Sequence, residues 1–149
     1  MLRAPRPSSP APWVLVVDDD PLAARSTARV ISATGRTRVT VLPDGDAAVK
    51  LLARTEHAPA AIVLDFELAR GETGHDVLAR LRAVGCRSPV AFLTGAPERA
   101  SAALSSGKRS AVCPVLKKGP SAAALLGWLS FVLQGSPPKD ASGVRSKLA

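Results

Sequence analysis

Acidic residues stand at the ends of two apolar segments of this chain. The segment Trp13–Val17 runs directly into three aspartates, Asp18–Asp20, and the segment Ala60–Leu64 runs directly into Asp65. Carboxylates that crowd together repel one another, so such a cluster needs a cation to persist. Oxygen ligands of this kind suit Mg²⁺, which keeps several water ligands of its own. The pattern therefore predicts a site where a metal-assisted carboxylate attacks a phosphoryl group.

Two further apolar segments end in groups that suit the same chemistry. Pro89–Leu93 leads into Thr94–Gly95, and Ala111–Leu116 leads into Lys117–Lys118. A hydroxyl and an ammonium can both bind phosphoryl oxygens. Taken singly, an Asp or a Thr at such a place more often caps a turn or a helix, and a Lys is more often simply exposed. The prediction of a site depends on these groups meeting at one place.

The apolar segments indicate how the chain brings these groups together. Runs without polar alternation predict strands that are buried on both faces, and Arg38–Leu42 adds one more strand. Helical patterns follow each strand, at Pro21–Ala33, Asp46–Arg54, His75–Val84, Pro97–Ser106 and Ala122–Gln134. Alternating strands and helices predict an α/β fold: a three-layer, doubly wound, five-stranded parallel sheet. Ligands of such sheets bind outside the carboxyl ends of the strands, which is where the acids, Thr94 and the lysines fall. Pro114 cannot donate a ladder hydrogen bond, so the last strand is expected at an edge or with a bulge.

Composition bounds the remaining possibilities. The chain has 149 residues, of which 46% are hydrophobic and 21% charged, as expected for one folded domain. No apolar run reaches the roughly 18–20 residues of a membrane span, and the Pro-rich start lacks the apolar core of a secretory signal. Cys86 and Cys113 are too few for a disulfide framework or a zinc site. These features predict a cytoplasmic protein with a disordered leader at 1–12, one domain at 13–134 and a disordered basic tail at 135–149.

The net charge of +8 raises the question of nucleic acid. No dense Lys/Arg run occurs, Tyr is absent, and only three Phe and two Trp are present. The scarcity of aromatic residues argues against a base-stacking surface, so a nucleic acid partner is not expected. A membrane partner is not expected either, because no apolar run has the length of a membrane span. Contact through the basic tails remains a weaker alternative, and it would show steep salt dependence.

Four segments in order resemble the bacterial two-component response-regulator receiver domain: Val14–Pro21, Ile62–Asp65, Phe92–Gly95 and Val115–Lys118. The resemblance covers residues 13–134 and implies a flavodoxin-like (βα)5 fold. It implies that Asp65 is the phosphoacceptor and that the protein is not an enzyme beyond self-catalysed phosphorylation and dephosphorylation. The implied Mg²⁺ ligands are Asp18, Asp19, Asp65 and the backbone carbonyl of Glu67. The implied phosphoryl-binding and switch residues are Thr94, Gly95 and Lys118, with Lys117 as the fallback.

The chain departs from the family pattern at three places. Gly119 stands where the family usually has a proline after a cis peptide bond, so the loop that places the ammonium is expected to differ in shape. Val115 stands at the usual aromatic switch position, and Val has no ring to swing inward. The loop after Asp65, residues 69–74, lacks the common proline and is slightly longer.

The predicted function is that of a stand-alone response regulator in a phosphorelay. Its partners would be a sensor histidine kinase or phosphotransfer protein and a downstream protein or second copy. The last helix carries no charge, and Trp128, Leu129 and Phe131 cannot all point inward, so these residues are the predicted partner surface. The alternative function is a phosphorylation-independent pseudo-receiver interaction module. Two other α/β proteins fit less well. A flavin or nucleotide binder needs a glycine-rich loop that cradles phosphate, and the sequence has none. A haloacid-dehalogenase-like phosphatase would use Asp18 and Asp20, but it would leave Asp65 unexplained.

Overall fold

The computed structural model describes residues 11–35, 37–105, 113–119 and 122–134. Within them, five strands alternate with five α-helices, and a short 3₁₀ helix at Ala69–Gly71 lies in the loop after the third strand. The strands are β1 (Trp13–Val17), β2 (Arg38–Leu42), β3 (Ala61–Asp65), β4 (Val90–Thr94) and β5 (Val115–Lys117). The α-helices are α1 (Pro21–Ser32), α2 (Gly45–Ala53), α3 (Gly74–Ala83), α4 (Pro97–Ser105) and α5 (Ala123–Gln134).

All five strands form one parallel sheet in the order β2-β1-β3-β4-β5. The predicted fold class is thereby confirmed. The chain winds outward from β1 to β2 and then crosses back to β3, so the strand order reverses between β1 and β3. In such sheets this reversal opens a crevice at the carboxyl ends of the two strands. Asp18 and Asp65 lie at those two ends.

Two apolar clusters, one on each face of the sheet, form the core. Side chains of one strand alternate between the faces, so Leu15 and Val17 join one cluster while Val14 and Val16 join the other. Helices α2, α3 and α4 contribute residues to the first cluster, and α1 and α5 contribute residues to the second. Burial on both faces explains why these strands are continuously apolar in sequence.

Element boundaries differ from the sequence predictions mostly by one or two residues. The larger difference is the last strand, which begins at Val115 rather than at residue 111, with Cys113 and Pro114 before it. Pro114 therefore precedes an edge strand, and its carbonyl accepts a hydrogen bond from the Phe92 amide at 2.9 Å. The edge position agrees with the expectation from proline chemistry.

Two predictions concern the ends of the chain, the leader and the tail. The predicted leader, except Ala11 and Pro12, lies outside the described residues, and so does the predicted tail. Gly85 follows the C-cap residue of α3 with a φ of 89°, a conformation that glycine adopts readily at helix ends. Among the described residues, none of the helices combines the length and apolarity that a bilayer crossing needs.

Candidate functional site

The parallel register brings Asp18 and Asp65 side by side. Val17 on β1 is paired with Leu64 on β3, so the residue that follows each of them stands at the same edge of the sheet. Asp18 is 4% exposed and Asp65 is 6% exposed, whereas Asp19 is exposed. Carboxylate oxygens of Asp18, Asp19 and Asp65 lie within 4.8 Å of one another. Two buried acids and one exposed acid thus form the cluster that the strand ends predicted.

Asp20, the third aspartate of the run, has a structural role at the start of α1. Its Oδ1 accepts hydrogen bonds from the amides of Leu22 at 3.0 Å and Ala23 at 3.4 Å, and so caps the amino end of α1. Asp18 Oδ1 accepts the Asp20 amide at 2.9 Å, which fixes the turn between strand and helix. The capping role that a run of aspartates suggests therefore falls to Asp20, and Asp18 keeps its second oxygen for the cluster.

The ammonium of Lys118 lies between the two buried carboxylates. Its Nζ is 3.0 Å from Asp18 Oδ2 and 3.1 Å from Asp65 Oδ2. The neighbouring Lys117 is exposed, and it is the last residue of β5, paired with Thr94. The Lys118 amide donates to the Thr94 carbonyl at 2.7 Å, which continues the ladder one residue past the strand. The Lys118–Gly119 peptide is trans, so the ammonium reaches the acids without the family's usual cis bond.

Thr94 and Gly95 stand at the end of the neighbouring strand β4. Thr94 is only 2% exposed, and its Oγ1 accepts a hydrogen bond from the Ala96 amide at 3.0 Å. At Gly95 a Cβ would meet no atom within 4 Å, so space is open beside the threonine. A buried hydroxyl next to open space can receive an oxyanion that enters from solvent.

Burial and like charge disfavour ionisation of Asp65. Desolvation, followed by repulsion from Asp18, raises the pKa of Asp65 from 3.8 to about 6, and the attraction of Lys118 only partly offsets them. Burial lowers the pKa of Lys118, but its hydrogen bond with Asp18 and its attraction to both carboxylates prevail and raise that pKa above 10.5. One ammonium therefore does not neutralise the cluster, and a divalent cation would stabilise it further.

The loop after Asp65 folds back on the carboxyl end of β3. The Asp65 carboxylate accepts the Glu67 amide at 3.3 Å. Two backbone hydrogen bonds close the loop: Gly74 N–H donates to the Phe66 carbonyl at 2.7 Å, and Leu68 N–H donates to the Glu72 carbonyl at 2.9 Å. Neither bond uses the Glu67 carbonyl, the oxygen that the resemblance assigns to the metal. The three carboxylates of Asp18, Asp19 and Asp65 offer oxygen ligands, which fit Mg²⁺ rather than a softer metal.

Sequence reasoning missed Gly74, the first residue of α3. A Cβ at this position would lie 2.8 Å from the Asp65 carbonyl oxygen and 2.9 Å from Cδ1 of Phe92. The helix thus begins in direct contact with the backbone of Asp65. A signal was available, because Thr73 and Asp76 form a reciprocal capping box that marks the start of α3.

Sequence reasoning also missed an ion-pair network beside the site. Arg80 on α3 contacts the carboxylates of Asp46 on α2 and Glu72 in the loop after Asp65. In the sequence, Asp46 is 34 positions and Glu72 is 8 positions away from Arg80. No local sequence pattern reports a contact between residues 46 and 80.

The predicted switch and partner residues occupy different environments. Val115 is half-buried on β5 beside Phe92 and packs against the first core cluster. Leu129 is 3% exposed and belongs to the core, so it is not part of an exposed face. Leu125 and Leu129 are four residues apart on the inward side of α5, which leaves Phe131 on the other side at 76% exposure. Trp128 is half-buried and packs against the second core cluster.

Comparison with known proteins bears on the fold and the family. A family model of the response regulator receiver domain matches residues 14–122 of the chain. No curated protein matches it. Among solved structures, the receiver domain of the Francisella response regulator 1452 is 26% identical with a TM-score of 0.65, over 84% of this chain and 98% of that one.

Two further solved structures show the same fold at lower identity. TrrA from Thermotoga maritima, a response regulator solved in complex with Mg²⁺-BeF, is 21% identical with a TM-score of 0.68, over 81% of this chain and 98% of that one. The response regulator PhyR from Brucella abortus is 24% identical with a TM-score of 0.70, over 91% of this chain. The chain spans about half of PhyR, 52% of its length.

Proposed function

Because the chain belongs to the response regulator receiver domain family, we propose that it accepts a phosphoryl group on Asp65 in a Mg²⁺-dependent reaction. The observation that carries this proposal is the convergence of three carboxylates and one ammonium at the switch point of the sheet. Receiver domains in general are phosphoacceptors that bind Mg²⁺ at an acidic pocket. TrrA, which has the same fold, was solved with Mg²⁺-BeF.

In the proposed reaction, an oxygen of the Asp65 carboxylate attacks the phosphorus of a phosphohistidine on a kinase or phosphotransfer protein. A P–O bond forms, the P–N bond breaks, and the electron pair stays on the imidazole nitrogen, which takes up a proton. Asp18, Asp19, Asp65 and the Glu67 carbonyl would hold the metal. Bound Mg²⁺ neutralises charge on phosphoryl oxygens. Attack of water on the phosphorus later releases inorganic phosphate and restores the carboxylate.

Other side chains of the site act on the same phosphoryl group. Lys118 Nζ touches Asp65 Oδ2 in the resting site, so it is already next to the oxygen on which a phosphoryl group would be carried. The Thr94 hydroxyl would donate to a phosphoryl oxygen once it turns away from the Ala96 amide. The open space at Gly95 admits that oxygen without a steric clash. Lys117, exposed at the end of β5, has no part in this proposal.

The test uses an acyl phosphate such as acetyl phosphate as donor, with and without Mg²⁺, and intact-protein mass spectrometry as readout. We expect one added phosphoryl group that depends on Mg²⁺ and is removed by hydroxylamine, as an acyl phosphate is. Asp65→Asn should remain unmodified. Asp44→Asn is the matched control, because this exposed aspartate caps α2 and Asn caps a helix as well as Asp does. A wild type of unchanged mass under these conditions would contradict the proposal.

The phosphoryl group would come from a cytoplasmic histidine kinase system. The signal would then pass by protein–protein contact to a downstream protein or to a second copy of the chain. Of the three residues predicted for a partner surface, the exposed Phe131 and the half-buried Trp128 are available for such a contact. Leu129 is not part of this surface, because its side chain lies in the core.

A second candidate function, the phosphorylation-independent interaction module, is favoured by Val115. A valine packed beside Phe92 cannot carry the ring rotation through which the family usually links threonine and surface. Hydrogen exchange of β5 and α5 separates the two candidates. Slower or faster exchange there after phosphorylation supports a switch, whereas identical exchange in the phosphorylated and resting protein supports the constitutive module.

A further inference from the structure

Arg80 lies outside the carboxylate cluster but contacts the loop that belongs to it. This β3–α3 loop, residues 66–73, begins directly after Asp65 and carries the Glu67 carbonyl. Arg80 Nη1 donates to Glu72 Oε2 at 3.1 Å, and Nη2 contacts the Asp46 carboxylate. One guanidinium thereby ties the loop to α3, on which Arg80 stands, and to α2, on which Asp46 stands.

The far end of the loop packs tightly against α2. A Cβ at Gly45, the first residue of α2, would lie 2.5 Å from Glu72 Oε1, 2.8 Å from Val77 Cγ2 and 3.3 Å from Arg80 Nη1. The Glu72 side chain therefore packs directly against the backbone of Gly45, and any larger residue at this position would clash with it. Glu72 is also the least exposed member of the network, at 27% for its side chain.

The conformation of the β3–α3 loop depends on contacts with residues outside the loop. Arg70 and Gly71 are two consecutive residues with positive φ, 63° and 75°, and a non-glycine residue rarely adopts this conformation without support. The loop's own closure consists of few hydrogen bonds, among them Leu68 N–H to the Glu72 carbonyl. A displacement of Glu72 would loosen that bond and, with it, the segment that presents the Glu67 carbonyl.

We propose that Arg80 is a positioning residue of the phosphoryl site, acting through Glu72 to hold the β3–α3 loop in the conformation that binds the metal. This inference rests on the proposed function, since it assigns the Glu67 carbonyl to Mg²⁺. Arg80 touches neither the metal ligands nor the reacting atoms, and its effect passes through the loop.

Electrostatics and positioning predict opposite effects for the loss of this cation. A cavity of about 350 Å³ beside the site is lined by Asp19 together with Asp44, Asp46, Arg70 and Glu72. Removing the guanidinium leaves Asp46 and Glu72 without their partner and makes this side of the site more negative. Coulomb attraction alone would then strengthen Mg²⁺ binding. If Arg80 positions the loop, its removal must weaken binding instead.

The experiment compares Mg²⁺ affinity, measured by isothermal titration calorimetry, with hydrogen exchange of the metal-free loop. For Arg80→Met we expect the Mg²⁺ dissociation constant to rise about three- to ten-fold, with a similar acceleration of exchange at the Leu68 amide. Arg80→Lys should fall between wild type and Arg80→Met, because one ammonium replaces a fork that serves two acids. Arg87→Met removes the same charge from an exposed position in the α3–β4 loop, and should leave both readouts unchanged.

Glu72→Gln provides the second arm. It should accelerate exchange at Leu68 as Arg80→Met does, and the double variant should go little further, because both changes weaken the same Arg80–Glu72 contact. Equal or tighter Mg²⁺ binding in Arg80→Met, or unchanged exchange at Leu68, overturns the inference while the proposed function stands. A wild type that binds no Mg²⁺ at all overturns both.

Discussion

Asp65→Asn should make the metal-free protein more stable, because the native site holds an ionised carboxyl where it is disfavoured. The pKa of Asp65 is raised from 3.8 to about 6 by burial and by the neighbouring Asp18. At about 1.4 kcal/mol per pKa unit, ionising Asp65 at neutral pH takes about 3 kcal/mol from the free energy of unfolding. Asn carries no charge and avoids this loss, and Lys118 keeps its contact with Asp18.

The sign of the pH dependence follows from the direction of the shift. The folded state holds the Asp65 proton more tightly than the unfolded state, so the stabilisation from protonated Asp65 is complete below about pH 4 and is lost as pH rises through about 6. The stability of Asp65→Asn relative to wild type should therefore be close to zero near pH 4 and reach about 3 kcal/mol near pH 7.

Urea denaturation in the presence of a chelator, followed by circular dichroism at several pH values, measures this difference. Asp44→Asn, the same chemical change at an exposed helix cap, is the control and should show little difference from wild type at any pH. An Asp65→Asn variant that is less stable than wild type at neutral pH, or whose advantage does not change with pH, would refute the electrostatic reasoning.

Three further outcomes are expected. Mg²⁺ at about ten times its dissociation constant should stabilise wild type by about 1.4 kcal/mol in thermal or urea unfolding, and Asp65→Asn should respond much less because one ligand is gone. Gly74→Ala should destabilise the fold by about 1–3 kcal/mol in urea unfolding, since its Cβ would press on the Asp65 carbonyl and on Phe92; a neutral effect would contradict the close approach. Gly127→Ala, in the middle of α5 with open space around it, should instead raise stability by about 0.5–1 kcal/mol in the same assay, and a loss would mean that the position is packed.

The fold could be predicted almost entirely from local patterns. A strand buried on both faces has to be apolar throughout, so β1, β3 and β4 were visible as uninterrupted apolar runs. Proline chemistry predicted that the last strand lies at an edge or carries a bulge, and the sheet order shows the edge position. Boundaries shifted by a residue or two, since the hydrogen bonds that end an element depend on the neighbouring strand as well as on the element's own sequence.

The division of labour among similar residues could not be predicted from local patterns. Asp18, Asp19 and Asp20 are chemically identical neighbours, yet one is buried in the cluster, one is exposed and one caps α1. Leu129 and Phe131 lie on one uncharged helix, and only the packing of α5 against the sheet decides that the first is buried and the second exposed.

What the sequence determined by itself was the order of strands and helices, and with it the edge of the sheet at which acids, a threonine and a lysine would collect, because a parallel sheet sends every carboxyl end to the same side. The family resemblance favoured Lys118 over Lys117, but only the tertiary structure places its ammonium against Asp18, a residue 100 positions away. Only the tertiary structure, likewise, joins Asp46 to Glu72 through Arg80. Contacts of that kind depend on the distances between packed elements, and no pattern within one segment of the chain encodes a distance to another.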